Sequence, residues 1–478
     1  LRACLSFENK NYERSCKLFD ESLNISNSEF KERTDSNYLN IANNSLYWKA
    51  VSLIIIGKNT EAKQAFEECY HLYPNGNLAD DALFALGYLN EINRQYDAAI
   101  TYYSTISVKY PYSNNLISAR LREINIRLIL RDGVTALSSI ENTENIIKEI
   151  RKNTEQSKIY ESQSNFEKVD EELLYLRAEA NNLLGNFSQS LQYFSEFEQK
   201  YTNSQFLYLV YLSAGWANLN LGENQKALDY YDKVIVLKDL KEENVKPLAQ
   251  FYRTIALKRQ GKVDEAKKEL SNLAIQATYP YPGYVLLELG QIQYEEKDFA
   301  SAARTLERAY REASDAVIQI RIYLILGATY LELRRWESAI EVYKLAEQIA
   351  IKSSSIYVTQ KEHYLAEAKL KMGIAYIQNF KNAEAITPLQ AFLAEHKKDK
   401  RSDEALFWLA EAFYRTDLLN NAITNYKSLI EKYPSTERKE EALYGLGWAN
   451  FRMRNFKEAS SYFDRLIKEF PNTKYASE

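Results

Sequence analysis

The chain has 478 residues, 46% of them apolar, which is enough for a continuous core; its 14 Gly and 8 Pro are too few for the many tight turns of an all-β protein. Lys and Arg number 61 against 65 Asp and Glu, for a net charge of -4 without a long basic run, so nucleic acid is excluded as a partner. No stretch reaches the ~20 uninterrupted apolar residues of a membrane span, and an odd set of three cysteines cannot form a disulfide framework for so long a chain.

From the N-terminus, the first helical pair, around Tyr12 to Phe19, is eroded and reads as a cap. Cys4 and Cys16 fall on its two helices, where a single bridge is allowed, although buried thiols acting as small hydrophobes are the favoured reading. An Asn-rich stretch, 24–44, lengthens the link to the second pair. A recurring pattern then sets in. Asp81-Ala-Leu-Phe-Ala-Leu-Gly-Tyr88 is followed by Gln95-Tyr-Asp-Ala-Ala-Ile-Thr-Tyr-Tyr103 and Lys109-Tyr-Pro111, and the same order returns over 404–434 and 441–471. Apolar residues at three- and four-residue spacing on both sides of a short break predict two helices per unit.

The fourth pair, 117–140, keeps the helical period but lacks the aromatic signature. Over 141–170 the chain turns to Glu, Lys, Asn, Ser and Gln; Ile146, Ile147 and Ile150 predict one more amphipathic helix, with a loop near 162–165. This insertion is expected to be a hinge or a partner-binding element between an N-terminal segment, 1–140, of four pairs and a C-terminal segment, 171–478, of eight. Ser353-Ser-Ser355 lengthens one later link, and Pro388 falls inside a second helix, which it should kink. The final residues open a repeat without closing it, so more chain is expected beyond both ends.

The register is set by small residues. Ala62, Ala99, Ala227, Ala266, Ala302, Ala339, Ala385, Ala422 and Ala459 share one place in the second helix, with Ser190 in one repeat, at gaps of mostly 36 to 39 residues. Gly87, Gly215, Gly290, Gly327, Gly373 and Gly447 share a place in the first helix, which lets the helices approach closely. Gly57, Gly185, Gly222 and Gly261 share another at the turn between helices, and Pro74, Pro111, Pro434 and Pro471 follow the second helix.

This order of small residue, turn, aromatic, Ala, aromatic and terminal Pro resembles the tetratricopeptide repeat, although the unit runs about three residues longer than that family's 34. The longer variant, with its Tyr-Pro-x-Ser/Thr link, is similar to repeats of bacterial cell-envelope proteins such as the outer-membrane assembly lipoprotein and the Tol–Pal-associated division coordinator. The resemblance implies an all-α, right-handed superhelical solenoid of about twelve helix pairs, with first helices lining a concave groove. A stripe at i, i+4, i+7 on each would face that groove: Phe84, Tyr88 and Glu91; Leu212, Trp216 and Leu219; Leu287, Gln291 and Tyr294; Phe407, Glu411 and Tyr414; Tyr444, Trp448 and Phe451. Tyr47, Tyr175 and Phe251 hold the matching lead place in other pairs. Members of the family that clamp a terminal carboxylate use Lys followed four residues later by Asn, and none of these places carries that pair.

No catalytic, cofactor or metal cluster emerges. His71, His363 and His396 lie in different repeats, without metal-ligand spacing, and no Gly-rich phosphate loop follows a strand. The expected function is a non-catalytic scaffold that binds other proteins or extended peptides in an aromatic groove, in the periplasm or at the outer membrane of a bacterium. The alternative is a cytoplasmic, ligand- or peptide-responsive regulator coupled to an effector domain outside this sequence.

Overall fold

A helix with one apolar stripe is stable only when another element covers that stripe, and a short link makes the covering helix antiparallel. The computed structural model describes residues 1–33, 36–152, 166–238, 242–353 and 358–477. Among these it contains 24 helices and no strand, arranged as a helical repeat solenoid of twelve pairs. The chain divides into two compact units, Leu1–Asp239 and Leu240–Glu478.

The first unit pairs α1 (Arg2–Glu8) with α2 (Tyr12–Arg33), α3 (Ser36–Ile55) with α4 (Asn59–Leu72), and α5 (Ala79–Ile92) with α6 (Tyr96–Lys109). It continues with α7 (Leu116–Ile129) and α8 (Gly133–Lys152), α9 (Phe166–Leu183) and α10 (Phe187–Lys200), and α11 (Leu207–Asn220) and α12 (Asn224–Val236). The second unit pairs α13 (Val245–Arg259) with α14 (Val263–Ala274), α15 (Pro282–Glu295) with α16 (Phe299–Glu312), and α17 (Ala316–Glu332) with α18 (Trp336–Lys352). It ends with α19 (Val358–Gln378) and α20 (Asn382–Glu395), α21 (Ser402–Arg415) and α22 (Leu419–Lys432), and α23 (Lys439–Arg452) and α24 (Phe456–Glu469).

Small residues hold each pair together. The nine alanines of the second-helix place are buried, eight of them without any exposed surface. Ser190 fits the same place because its hydroxyl donates to the Ala178 carbonyl at 2.9 Å, so no buried polar group is left unmet. Opposite, a Cβ added to Gly327 would fall 2.5 Å from the ring of Tyr343, and Gly87 and Gly215 meet Tyr103 and Tyr231 in the same way. All three rings are fully buried. Glycine is therefore the space into which the second-helix aromatic fits.

The turn between helices requires a left-handed residue, and glycine fills it in only four pairs, with φ from 79° to 84°. Eight pairs place Lys10, Arg94, Arg131, Lys297, Arg334, Phe380, Asp417 or Arg454 there, with φ from 56° to 65°. Six of these are cations at a helix C-terminus, where the helix dipole favours positive charge and offsets part of the strain. Phe380 has no such compensation and is 82% exposed. Phe380→Gly is accordingly expected to stabilise the second unit by about 1 kcal/mol, read as a higher urea midpoint with an unchanged slope.

Several sequence expectations are corrected. The Asn-rich stretch is a helical hairpin rather than a long link, because α2 and α3 run almost through it, with Ala42, Leu46, Ala50 and Leu53 buried at helical spacing. Ile147 and Ile150 do not begin a new helix but extend α8 to Lys152 and are buried in the core of pairs four and five. Pro388 lies inside a second helix as expected, buried within α20. All three cysteines are free, and only Cys69 is buried; Cys4 is exposed. The expected hinge loop at 162–165 and Ser354-Ser355 fall outside the described residues.

Candidate functional site

Consecutive first helices touch: α7 with α9 and α9 with α11 in the first unit; α15, α17, α19, α21 and α23 in series in the second. Second helices of neighbouring pairs make at most marginal contact among the described residues. Over α7–α11 and α15–α23 the pairs therefore bend toward their first helices, whose open side chains line an inner face.

In the first unit this face begins with Tyr47, partly buried on the Phe66 ring at 5.5 Å. Burial and the nearby Asp81 push its phenol up to about 12. Trp48 beside it, 38% exposed, was not anticipated. Phe84 lies half-buried on Tyr103, while Tyr88 is 44% exposed. The Arg122 guanidinium lies 4.8 Å from the Tyr88 ring centre and 5.9 Å from that of Phe84, and bridges to Glu91 at 3.1 Å. Glu91 also accepts the Tyr103 hydroxyl at 2.8 Å. Two first helices are thus joined by a cation held between rings and a carboxylate.

Tyr175 is stacked under Phe206, which comes from the link to the next pair, at 5.6 Å. Its hydroxyl and that of Ser213 hydrogen-bond to Glu179, whose carboxyl burial nevertheless pushes up to about 7. Leu212 is partly buried, Leu219 is buried, and Trp216 stands 38% exposed.

In the second unit Phe251 is buried, edge-on to Tyr284, and Tyr294 packs on Phe299. Phe407 is buried beneath Arg438, a link residue whose guanidinium sits 5.3 Å above it, and Arg452 covers Tyr414 at 5.0 Å. Tyr444 stacks with Tyr475 at 4.0 Å, Trp448 is partly buried against Phe463, and Phe451 is 48% exposed. Tyr175, Phe407 and Tyr444 thus pack beneath the following link, whereas Tyr88, Trp216 and Phe451, further along, are 44%, 38% and 48% exposed.

A cavity of about 520 Å³ is lined by Gln291, Arg321, Leu324, Ile325, Gln360, His363, Tyr364 and Glu367. Arg321 is bridged to Glu288 at 3.1 Å. Of these residues only Gln291 lay on the expected stripe. Arg321 and Tyr364 sit a turn or more before the lead place, on helices of 17 and 21 residues that overrun the usual 14; that excess length was the available signal. His363 and His396, placed apart by the sequence, border one cavity of about 480 Å³ with Glu362 and Asp399. The Asp399 carboxyl is held down to about 2 by Arg401. No group of three potential metal ligands occurs among the described residues, and no described helix is long and apolar enough to cross a membrane.

Family models of the tetratricopeptide repeat match residues 44–75 and 255–317, and one described as outer membrane lipoprotein matches residues 366–478. No curated protein matches the chain. Among solved structures, the C-terminal part of a TPR repeat-containing protein from Cytophaga hutchinsonii is 14% identical, with 57% of this chain and 99% of that one covered at a TM-score of 0.43. PilF of Pseudomonas aeruginosa is 15% identical over 49% of this chain and 96% of its own, at 0.38. The Cut9–Hcn1 hetero-tetramer of APC/C is 12% identical over 99% and 93%, at 0.36.

Proposed function

Because this chain is a tetratricopeptide-repeat protein, we propose that it is a non-catalytic scaffold that seats partner proteins or extended peptide segments along the inner face of its units, within the bacterial cell envelope. Repeats of this kind serve generally as protein-interaction scaffolds rather than catalysts. The observation that carries the groove reading is the openness of Tyr88, Trp216 and Phe451 on a face where the fold buries Phe251 and Phe407. Large rings with few rotamers are the side chains that contribute most at protein interfaces. The match of residues 366–478 to an outer membrane lipoprotein model supports the envelope as the place.

Crosslinking on intact cells identifies the partner and its compartment; crosslinks confined to cytoplasmic proteins reject the envelope. Replacing Trp216 and Trp448 together by Ala, one in each unit, is then expected to weaken capture of that partner about tenfold or more while leaving helicity intact. Unchanged capture would move binding to the outer face or the links.

A further inference from the structure

Five links begin with an aromatic residue that caps a second helix: Tyr73, Tyr110, Tyr201, Tyr433 and Phe470. In none of them is either of the next two residues charged, and the first is Pro in four. The link after α20 departs from this pattern, with His396 at the cap and Lys397-Lys398 behind it. The turn itself is unchanged. The Asp399 N–H donates to the His396 carbonyl at 2.9 Å, as that of Ser113 does to Tyr110 and that of Thr436 to Tyr433 at 3.0 Å. Closing the turn therefore requires neither the imidazole nor the two lysines.

What changes is the reach of the side chain. The Tyr110 hydroxyl donates to the Pro74 carbonyl of the preceding link at 2.6 Å, and that of Tyr73 to Asn27 of α2 at 2.8 Å. Histidine is shorter. Its Nδ1 lies 3.2 Å from the Glu362 carboxylate, and the side chain is 6% exposed. Nε2 is buried without a hydrogen-bond partner among the described residues. The cavity of about 480 Å³ borders this ring, together with His363, Lys397 and Lys398. The acids at its rim are committed: Arg401 grips Asp399 at 2.8 Å, the buried Lys369 pairs with Glu395, and Glu362 faces the imidazole. Lys397 and Lys398 are exposed and make no ion pair among the described residues. Each acid thus has a partner, whereas two ammoniums and one buried ring nitrogen do not.

We propose that this link is a binding site for a carboxylate, which accepts a second imidazole N–H from His396 and is held by the Lys397 and Lys398 ammoniums. Protonated imidazole donates from both nitrogens, and an incoming carboxylate favours that form by adding negative charge beside the ring. The three carboxylates at the rim repel a dianion such as phosphate about twice as strongly as a single charge, which selects the carboxylate. His363 borders both this cavity and the one of about 520 Å³, so the site adjoins the inner face. The source of the carboxylate rests on the scaffold reading: it is a Glu or Asp side chain of the seated segment.

The test is fluorescence anisotropy of a labelled peptide alternating Glu and Ala, titrated with the full chain, beside a counterpart alternating Gln and Ala. The Glu peptide is expected to bind, less at high salt, and the Gln peptide about tenfold or more weakly. Lys397→Ala with Lys398→Ala should weaken binding of the Glu peptide about tenfold. His396→Tyr, which restores the residue of four other links, should do the same while leaving the urea midpoint unchanged or higher. Lys427→Ala with Lys432→Ala, exposed lysines of α22, should change nothing. Calorimetry with glutarate separates the sources. Glutarate bound by the wild type but not by His396→Tyr, with the peptide ignored, would keep the site, assign it to a free acid and leave the groove reading untouched. The proposal is overturned if neither carboxylate probe binds, if the Gln peptide binds equally well, or if the His396 and lysine variants bind like the wild type. Displacement of the peptide by inorganic phosphate more readily than by glutarate would overturn it too.

Discussion

Replacing Tyr343 by Ala is expected to destabilise the second unit by about 3–5 kcal/mol, the usual cost of emptying a buried aromatic site. The ring is fully buried and fills the notch left by Gly327 on α17. Gly327→Ala alone should cost about 1–3 kcal/mol, because its Cβ enters the space of a ring that packed neighbours cannot release. Both losses should be visible in urea denaturation followed by circular dichroism. The decisive outcome is their combination: with the ring gone, the methyl at position 327 has room, so the double variant should lose clearly less than the sum. Strict additivity would mean that the two residues do not share that space. Tyr343→Phe is the control, since the phenol oxygen is buried without a hydrogen-bond partner among the described residues, and deleting it should be neutral or slightly stabilising.

The second large effect concerns pH. Burial pushes the Glu179 carboxyl from 4.5 up to about 7, although Ser213 and Tyr175 hydrogen-bond to it. As pH rises between those values, the unfolded chain releases this proton while the folded protein keeps it. The folded state then binds more protons, so stability falls with rising pH across the window and levels off above it. The group should thus make the first unit about 2–3 kcal/mol less stable at pH 8 than at pH 4.5, other titrations aside. Glu179→Gln is expected to flatten that slope and to raise the denaturation midpoint at pH 8 more than at pH 5. An identical slope in wild type and variant would show that the carboxyl titrates normally.

Much of the fold was readable because it rests on steric minima. A second helix approaches its partner only over a side chain no larger than that of Ala99 or Ser190, and Tyr103, Tyr231 and Tyr343 seat opposite glycine, so small residues recur at the period of the repeat. The stretch 24–44 misled because its asparagines suggested a loop; the contrary signal was Ala42, Leu46, Ala50 and Leu53 at helical spacing.

The inner face was legible only in part. Helical spacing correctly placed Tyr175, Phe407 and Tyr444 on first helices, but could not show that Phe206, Arg438 and Tyr475, each from the following link, lie over them. Such contacts join residues some thirty positions apart and leave no trace in a local period. Arg122 escaped notice because an arginine one place off an apolar stripe looks like solvated surface until two rings and a carboxylate are found around it.

The contact between successive first helices over α7–α11 and α15–α23, absent or marginal between second helices among the described residues, also governs how these runs deform. Straightening must pry apart the inner rims of neighbouring pairs, while the outer side has slack, so such a run flexes like a leaf spring clamped along one edge. A guest wedged among α15, α17 and α19 would set the bend of that spring, and pulling on the outer side would loosen its grip.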